Sequence, residues 1–81
     1  MYLHLGNDVS ITASSVITII NLEQAVTPEI NEIIEIADSE GLLYCVNGIE
    51  KQKSLVICEH AYYISPISSM TLLRRSQSRW I

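Results

Sequence analysis

The chain has 81 residues, a formal net charge of −4 and 48% apolar residues. This length predicts a single domain spanning residues 1–81, and a chain this short buries only about 60–65% of its unfolded surface. Its charged fraction of 17% is below the roughly 25% of an average soluble domain. The excess of apolar residues indicates either a very dense core or an apolar surface that a partner covers, and we favour self-association.

The first twenty residues predict three short strands. Residues 2–5 alternate in polarity, residues 6–8 (Gly-Asn-Asp) are a strong turn signal, and residues 9–12 complete a hairpin. Residues 16–20 are β-branched throughout, which favours a buried strand.

Residues 28–40 predict an amphipathic helix. Thr27 suits the N-cap, Pro28 the first helical position and Gly41 the left-handed residue that follows a helix. The apolar stripe repeats at i, i+3, i+4 and i+7 and consists of Ile30, Ile33, Ile34 and Ala37. Ile36 lies outside this stripe, so it is either a candidate intersubunit contact or a lone exposed isoleucine.

Residues 42–46, 54–58 and 61–65 predict three further strands. Asn47-Gly48 is expected to open an exposed loop between the first two of them. The order of strands, one helix and strands again predicts a small α+β fold, in which the helix covers one face of a mainly antiparallel sheet.

From Ser68 the sequence is compatible with a short C-terminal helix, because a serine can cap its first turn. Residues from about 76 to 81 are candidates for a disordered tail.

No apolar run approaches the roughly 18–20 residues that span a bilayer, and residues 1–6 carry no basic segment of a signal peptide. We therefore expect a cytoplasmic chain with no membrane partner. Cys45 and Cys58 are then expected to be reduced, most simply as small buried apolar side chains.

The residues give no motif of an enzyme. The three glycines are scattered, and no nucleophile elbow or paired-acid motif is present. Cys58 and His60 could share one face of a strand, but zinc usually needs three or four protein ligands. We expect no catalytic residue, no metal, no cofactor and no small-molecule substrate.

Charge is divided between the two parts of the chain. Residues 1–50 contain eight acids and no Lys or Arg, whereas residues 51–81 contain five basic residues and one acid. The candidate nucleic-acid contacts are Lys51, Lys53, Arg74, Arg75 and Arg79, with Trp80 as an aromatic that could stack on a base. The alternative is that the two parts attract each other, within or between subunits.

Several stretches, taken in order, resemble one known family; they are residues 1–6, 16–20, 27–41, 44–48, 53–56, 62–66 and 71–75. Together they make the chain similar to the small bacterial regulators of extracellular-matrix (biofilm) gene expression, the RemA/RemB family, and within it to the RemB-like branch.

This resemblance implies a homo-oligomeric, ring-forming, DNA-binding transcriptional regulator whose subunit is related to the LytTR type of domain. It implies that DNA runs along the ring and contacts arginines at two places, which in this chain are Ser14-Ser15 and Ile49-Glu50. Neither place has an arginine. Lys51 and Lys53 would replace the second pair as point charges without the guanidinium fork.

One alternative function stays open: a protein-interaction module that oligomerises but does not bind DNA and acts through a protein partner. The net charge of −4 and the missing arginines favour it.

Overall fold

Six strands and two helices make up the part of the chain that a computed structural model describes, residues 1–49 and 52–77. The elements are β1 (Tyr2–Gly6), β2 (Val9–Thr12), β3 (Val16–Asn21), α1 (Pro28–Ser39), β4 (Leu43–Ile49), β5 (Ser54–Cys58), β6 (Tyr62–Ser65) and α2 (Ser69–Gln77), with a 3-10 turn at Ala13–Ser15. The predicted α+β fold is confirmed, whereas the implied relation to the LytTR type stays a prediction.

The strands form two sheets. β1 and β2 pair as an antiparallel hairpin, and the other four strands form a sheet in the order β3-β5-β6-β4. β5 is antiparallel to both of its neighbours, while β4 is parallel to β6. It follows that β3 and β4 are the two edges of the sheet and run in the same direction.

The hairpin turn is the one predicted from Gly6-Asn7-Asp8. All three residues have positive φ angles, 104° for Gly6, 50° for Asn7 and 66° for Asp8. A Cβ atom on Gly6 would also lie 3.2 Å from Cγ of Pro66. Glycine is therefore needed here both for the left-handed backbone and for the close approach of the hairpin to the end of β6.

The hairpin and α2 cover one face of the four-stranded sheet. The buried core on this side consists of Leu3, Leu5, Ile11, Ala13, Val56, Cys58 and Leu72. α2 contributes Leu72, which is completely buried, and Ser68 caps the helix because its Oγ accepts a hydrogen bond from the Thr71 backbone N at 3.3 Å. The C-terminal helix is thus present and forms part of the core.

The amphipathic helix α1 belongs to the opposite face. Leu55 and Ile64 are paired across β5 and β6, point away from Val56, and are both buried. α1 connects edge strand β3 to edge strand β4 across this side and buries Ala37. Its predicted N-cap is confirmed, since Thr27 Oγ1 accepts a hydrogen bond from Ile30 N at 3.2 Å.

The prediction that residues 16–20 form a buried strand is right about the strand and wrong about its burial. β3 is an edge strand, and Ile17 is 66% exposed. The pairing with β5 is irregular between Val16 and Thr18, which leaves Ile17 as an extra residue on the edge. Side-chain branching predicts an extended backbone but says nothing about which neighbours the strand acquires.

Two other boundaries also differ from the prediction. β4 continues through Asn47-Gly48 to Ile49, where we expected a loop, and the hairpin turn supports it because Asn7 Nδ2 donates to the Val46 carbonyl at 3.2 Å. Ser76 and Gln77, assigned to the disordered tail, lie in α2. Residues 78–81 of that tail fall outside the described residues.

In the described part of the chain, neither helix is long and apolar enough to cross a membrane.

Two buried serine side chains connect the hairpin, the sheet and α2. Ser65 Oγ donates to the Leu5 carbonyl at 2.7 Å and accepts from Ile67 N at 3.0 Å. Ser54, its partner across the β5–β6 pair, donates from Oγ to the Ile67 carbonyl at 2.8 Å. Both serines are completely buried, so these hydrogen bonds form without competition from water.

Replacing Ser65 with alanine is expected to lower the free energy of unfolding by about 1–3 kcal/mol, because the Leu5 carbonyl and the Ile67 N–H lose a buried partner. Urea denaturation at one fixed protein concentration measures the change. The control is Ser10→Ala on the exposed side of β2, which should cost less than about 0.5 kcal/mol. Equal effects of the two substitutions would contradict this role of Ser65.

Candidate nucleic-acid interface

Lys53 is the predicted contact that the fold positions most firmly. Its backbone N donates to the Ser65 carbonyl and its carbonyl accepts from Leu22 N, both at 2.9 Å. The residue therefore lies where β3 and β6 end and β5 begins, which we call the Lys53 end of the sheet. The backbone is held on both sides while the side chain is exposed.

Arg74 and Arg75 lie in the second half of α2, and both side chains are exposed. α2 starts at the Lys53 end, because Ile67 is bonded to Ser54, and then packs along β1 and β3. Arg75 is oriented toward the hairpin, since its Nη1 donates to the His4 carbonyl at 3.3 Å. The axial rise from Ser68 to Arg74 is about 9 Å, so the two arginines lie farther along the molecule than Lys53.

Two of the predicted contacts, Lys51 and Arg79, lie outside the described residues, as does Trp80. The structure thus places Arg74 and Arg75 on α2 and Lys53 at the end of the sheet from which α2 starts. Lys51 and Arg79 stay predictions.

The structure separates the charges in space. α1 and the residue after it carry Glu29, Glu32, Glu35, Asp38 and Glu40 with no basic residue, whereas α2 carries two arginines and no acid. The helices belong to opposite faces of the sheet, so each subunit has an acidic side and a weakly basic side. Two acids, Asp8 in the hairpin turn and Glu23 just after β3, lie near the Lys53 end and lower its positive potential.

The two positions where the resemblance places arginines are at opposite ends of the sheet. Ser14 and Ser15 precede β3, and Ser15 accepts a hydrogen bond at its carbonyl from Glu59 N at 3.0 Å. Ile49 ends β4, which runs in the same direction as β3, so the two positions are separated by about 20 Å along the strands. Lys53 lies at the Ile49 end of the sheet and therefore on the side of the second position only.

A surface pocket of about 300 Å³ lies beside Ser15, at the end of the sheet opposite Lys53. Its lining includes Cys58, His60 and Tyr63. Burial raises the pKa of the Cys58 thiol; a hydrogen bond with Ser15 works against that shift and the Glu59 charge adds to it. Cys58 is therefore a neutral thiol at physiological pH.

No cluster of three or more His, Cys, Asp or Glu side chains that could hold a metal occurs in residues 1–49 and 52–77. His60 is exposed and Cys58 is buried. The expected burial of both cysteines holds for Cys58 and is wrong for Cys45, whose thiol is free and exposed on edge strand β4.

Comparison with known proteins decides the family. No protein-family model matches the chain. Over 77 residues, however, it is 31% identical to the extracellular matrix regulatory protein B of Bacillus subtilis (strain 168), and the match covers 95% of this chain and 91% of that protein. The chain belongs to the extracellular matrix regulatory protein B family. The resemblance to the RemB-like branch is thereby confirmed.

One surface feature of this family member was not predicted from its sequence. Tyr44 on edge strand β4 stacks on Tyr63 of β6, with ring centroids 5.5 Å apart and an angle of 27° between the rings. Burial is the main cause that raises the pKa of the Tyr63 hydroxyl, with smaller contributions from Cys58 and Tyr44. The parallel β4–β6 pairing creates this stack, and no pattern within either strand indicates that pairing.

The two cysteines are expected to differ strongly in reactivity toward a disulfide reagent in dilute solution at neutral pH. Cys45 should react rapidly because it is exposed, and Cys58 only after urea unfolds the chain. The pKa of the Cys58 thiol is raised in the folded state, so the thiol ionises at lower pH in the unfolded chain than in the folded one. The free energy of unfolding should therefore fall as pH rises from the ordinary pKa of a cysteine to the higher pKa of folded Cys58. Cys45→Ser should remove the fast phase; two fast thiols would contradict the burial of Cys58.

Proposed function

We propose that this protein is a non-catalytic, cytoplasmic transcriptional regulator of extracellular-matrix (biofilm) genes that works as a homo-oligomeric ring and binds DNA. Family membership supports a regulatory role in extracellular-matrix formation. DNA binding and assembly into a ring are the further steps of the proposal.

The exposed apolar side chains support the assembly. Large apolar residues that are at least one-third exposed occur on both helices and both edge strands, and the described ones are Met1, Tyr2, Ile17, Ile33, Ile36, Tyr44, Met70 and Leu73. A monomer of 9.1 kDa that exposes this much apolar surface gains free energy when copies of itself cover it.

The position of Lys53 supports DNA binding and is the observation that carries it. Its side chain projects from a backbone held by two hydrogen bonds, at the same end of the sheet as one family arginine position. Lys51 and Lys53 are the first proposed contacts, and Arg74, Arg75 and Arg79 the second. One subunit of net charge −4 binds a polyanion weakly, whereas a ring repeats each cation and multiplies the attraction.

The second candidate function is a protein-interaction module that oligomerises without binding DNA. The acidic side formed by α1, together with the absence of arginine at Ser14-Ser15 and Ile49-Glu50, favours it. A basic protein partner would dock on such a side through charge complementarity.

Fluorescence anisotropy of a labelled DNA duplex tests the proposal. The protein should bind at low salt with a Kd on the order of 10 µM and lose affinity steeply at moderate salt. Lys53→Gln should weaken binding and reduce the slope of log affinity against log salt by about one unit. Absence of binding at low salt would reject the DNA-binding function in favour of the protein-interaction module.

Asn31→Asp is the matched control for Lys53→Gln, because it also lowers the net charge by one but lies on exposed α1. It should leave the DNA affinity nearly unchanged. An equal loss in both variants would mean that net charge, rather than a contact at Lys53, determines the affinity.

The missing arginines give a test by gain of affinity. Glu50→Arg restores a cation at a family arginine position and should strengthen DNA binding, with the salt slope steeper by about one unit. Glu35→Arg on α1 makes the same change in net charge and is expected to change the affinity little. A larger gain from the α1 substitution would place the DNA on the other side of the subunit.

A further inference from the structure

One side of α1 carries apolar side chains that the described chain covers only in part. Ile36 is 50% exposed, and Ile33, one turn before it on the helix, is 36% exposed. At about 100° per residue, an arc of about 100° on this helix contains both isoleucines and three carboxylates. We call this the α1 ridge; it consists of Glu29, Glu32, Ile33, Ile36 and Glu40.

α2 has a smaller surface that also combines two exposed apolar side chains with charge, here positive instead of negative. Met70 is 72% exposed and Leu73 is 42% exposed. Arg74 is also exposed, and Met70 and Arg74 face away from buried Leu72. Arg75 points to the other side of α2, where it bonds to the His4 carbonyl. We call Met70, Leu73 and Arg74 the α2 ridge. Each ridge pairs two apolar side chains at i and i+3 with charges of a single sign.

The two ridges lie on opposite sides of the subunit. α1 contacts edge strand β4, whereas α2 contacts edge strand β3, and the helices belong to opposite faces of the sheet. They cannot meet within one subunit. Two different ridges on opposite sides allow one copy to contact the next head to tail. When successive copies are related by a rotation that closes, such a contact gives a ring.

We infer that the α1 ridge of one copy docks on the α2 ridge of the next copy. This inference rests on the proposed assembly and names its interface. Ile33 and Ile36 pack on Met70 and Leu73, while the carboxylates at the border of the α1 ridge attract Arg74 of the adjacent copy. Arg74, named above among the second-choice DNA contacts, is then assigned to assembly, and Lys53 at the Lys53 end of the sheet is left to contact DNA.

The edges of the sheet offer a different contact, the pairing of β3 with β4 of another copy. The extra residue at Ile17 disrupts the regular edge of β3 and works against that pairing. Edge pairing would also make no use of the charges on either helix, so substitutions of charge distinguish the two contacts.

The experiment measures the mass of charge variants by light scattering on a sizing column, with far-UV circular dichroism to confirm folding. Glu32→Arg with Glu40→Arg should shift the protein from the wild-type oligomer toward the 9.1 kDa monomer, because Arg74 is then opposed by like charge. Arg74→Glu alone should do the same. The three substitutions together restore attraction across the interface and should restore the wild-type mass.

Glu35→Arg with Asp38→Arg is the control, because it changes the net charge equally on the same helix but away from the α1 ridge. It should keep the wild-type mass. The interface is overturned if the wild type is an oligomer and every charge variant has the same mass as the wild type. It is also overturned if the control dissociates as strongly as the ridge variant. Both results leave the proposed assembly intact. A wild type that is monomeric at high concentration overturns the assembly itself.

Discussion

The buried hydroxyls of Ser54 and Ser65 hold together the three parts of this small fold. They bond to Leu5 in the hairpin and to Ile67 just before α2, with no competition from water. The same contacts determine where Lys53 lies, because it precedes Ser54 and its backbone bonds to Ser65. They also fix where α2 begins, and hence which side of the molecule becomes cationic. The positions of the candidate DNA-contacting cations thus depend on two uncharged serine side chains.

Size is the second constraint, and it connects the fold to the proposed function. With 81 residues, the sheet can be covered on both faces but the helices that cover it stay half exposed. The acidic residues of α1 are then left on the opposite side of the subunit from the two arginines of α2. The proposed head-to-tail assembly would cover the apolar ridges and bring unlike charges of neighbouring copies together. It would also repeat Lys53 around the assembly and so multiply its attraction for a polyanion.

The sequence predicts the local elements of this fold well and their neighbours poorly. The hairpin turn at Gly6 and the helix that begins after Thr27 follow from backbone preferences that act within a few residues. The exposure of Ile17 and the stack of Tyr44 on Tyr63 depend on the strand order, which no local pattern encodes. The same holds for the site: the residue types indicate Lys53 and Arg74 as candidates, but only the topology shows that one lies at an end of the sheet and the other on α2.

The account depends most directly on self-association, and native mass spectrometry of the unmodified protein tests it. We predict a discrete species of three or more 9.1 kDa subunits, which persists on moderate dilution and is formed without DNA. A single 9.1 kDa species at high protein concentration would contradict the account, because the apolar ridges and the separated charges would then have no partner copy.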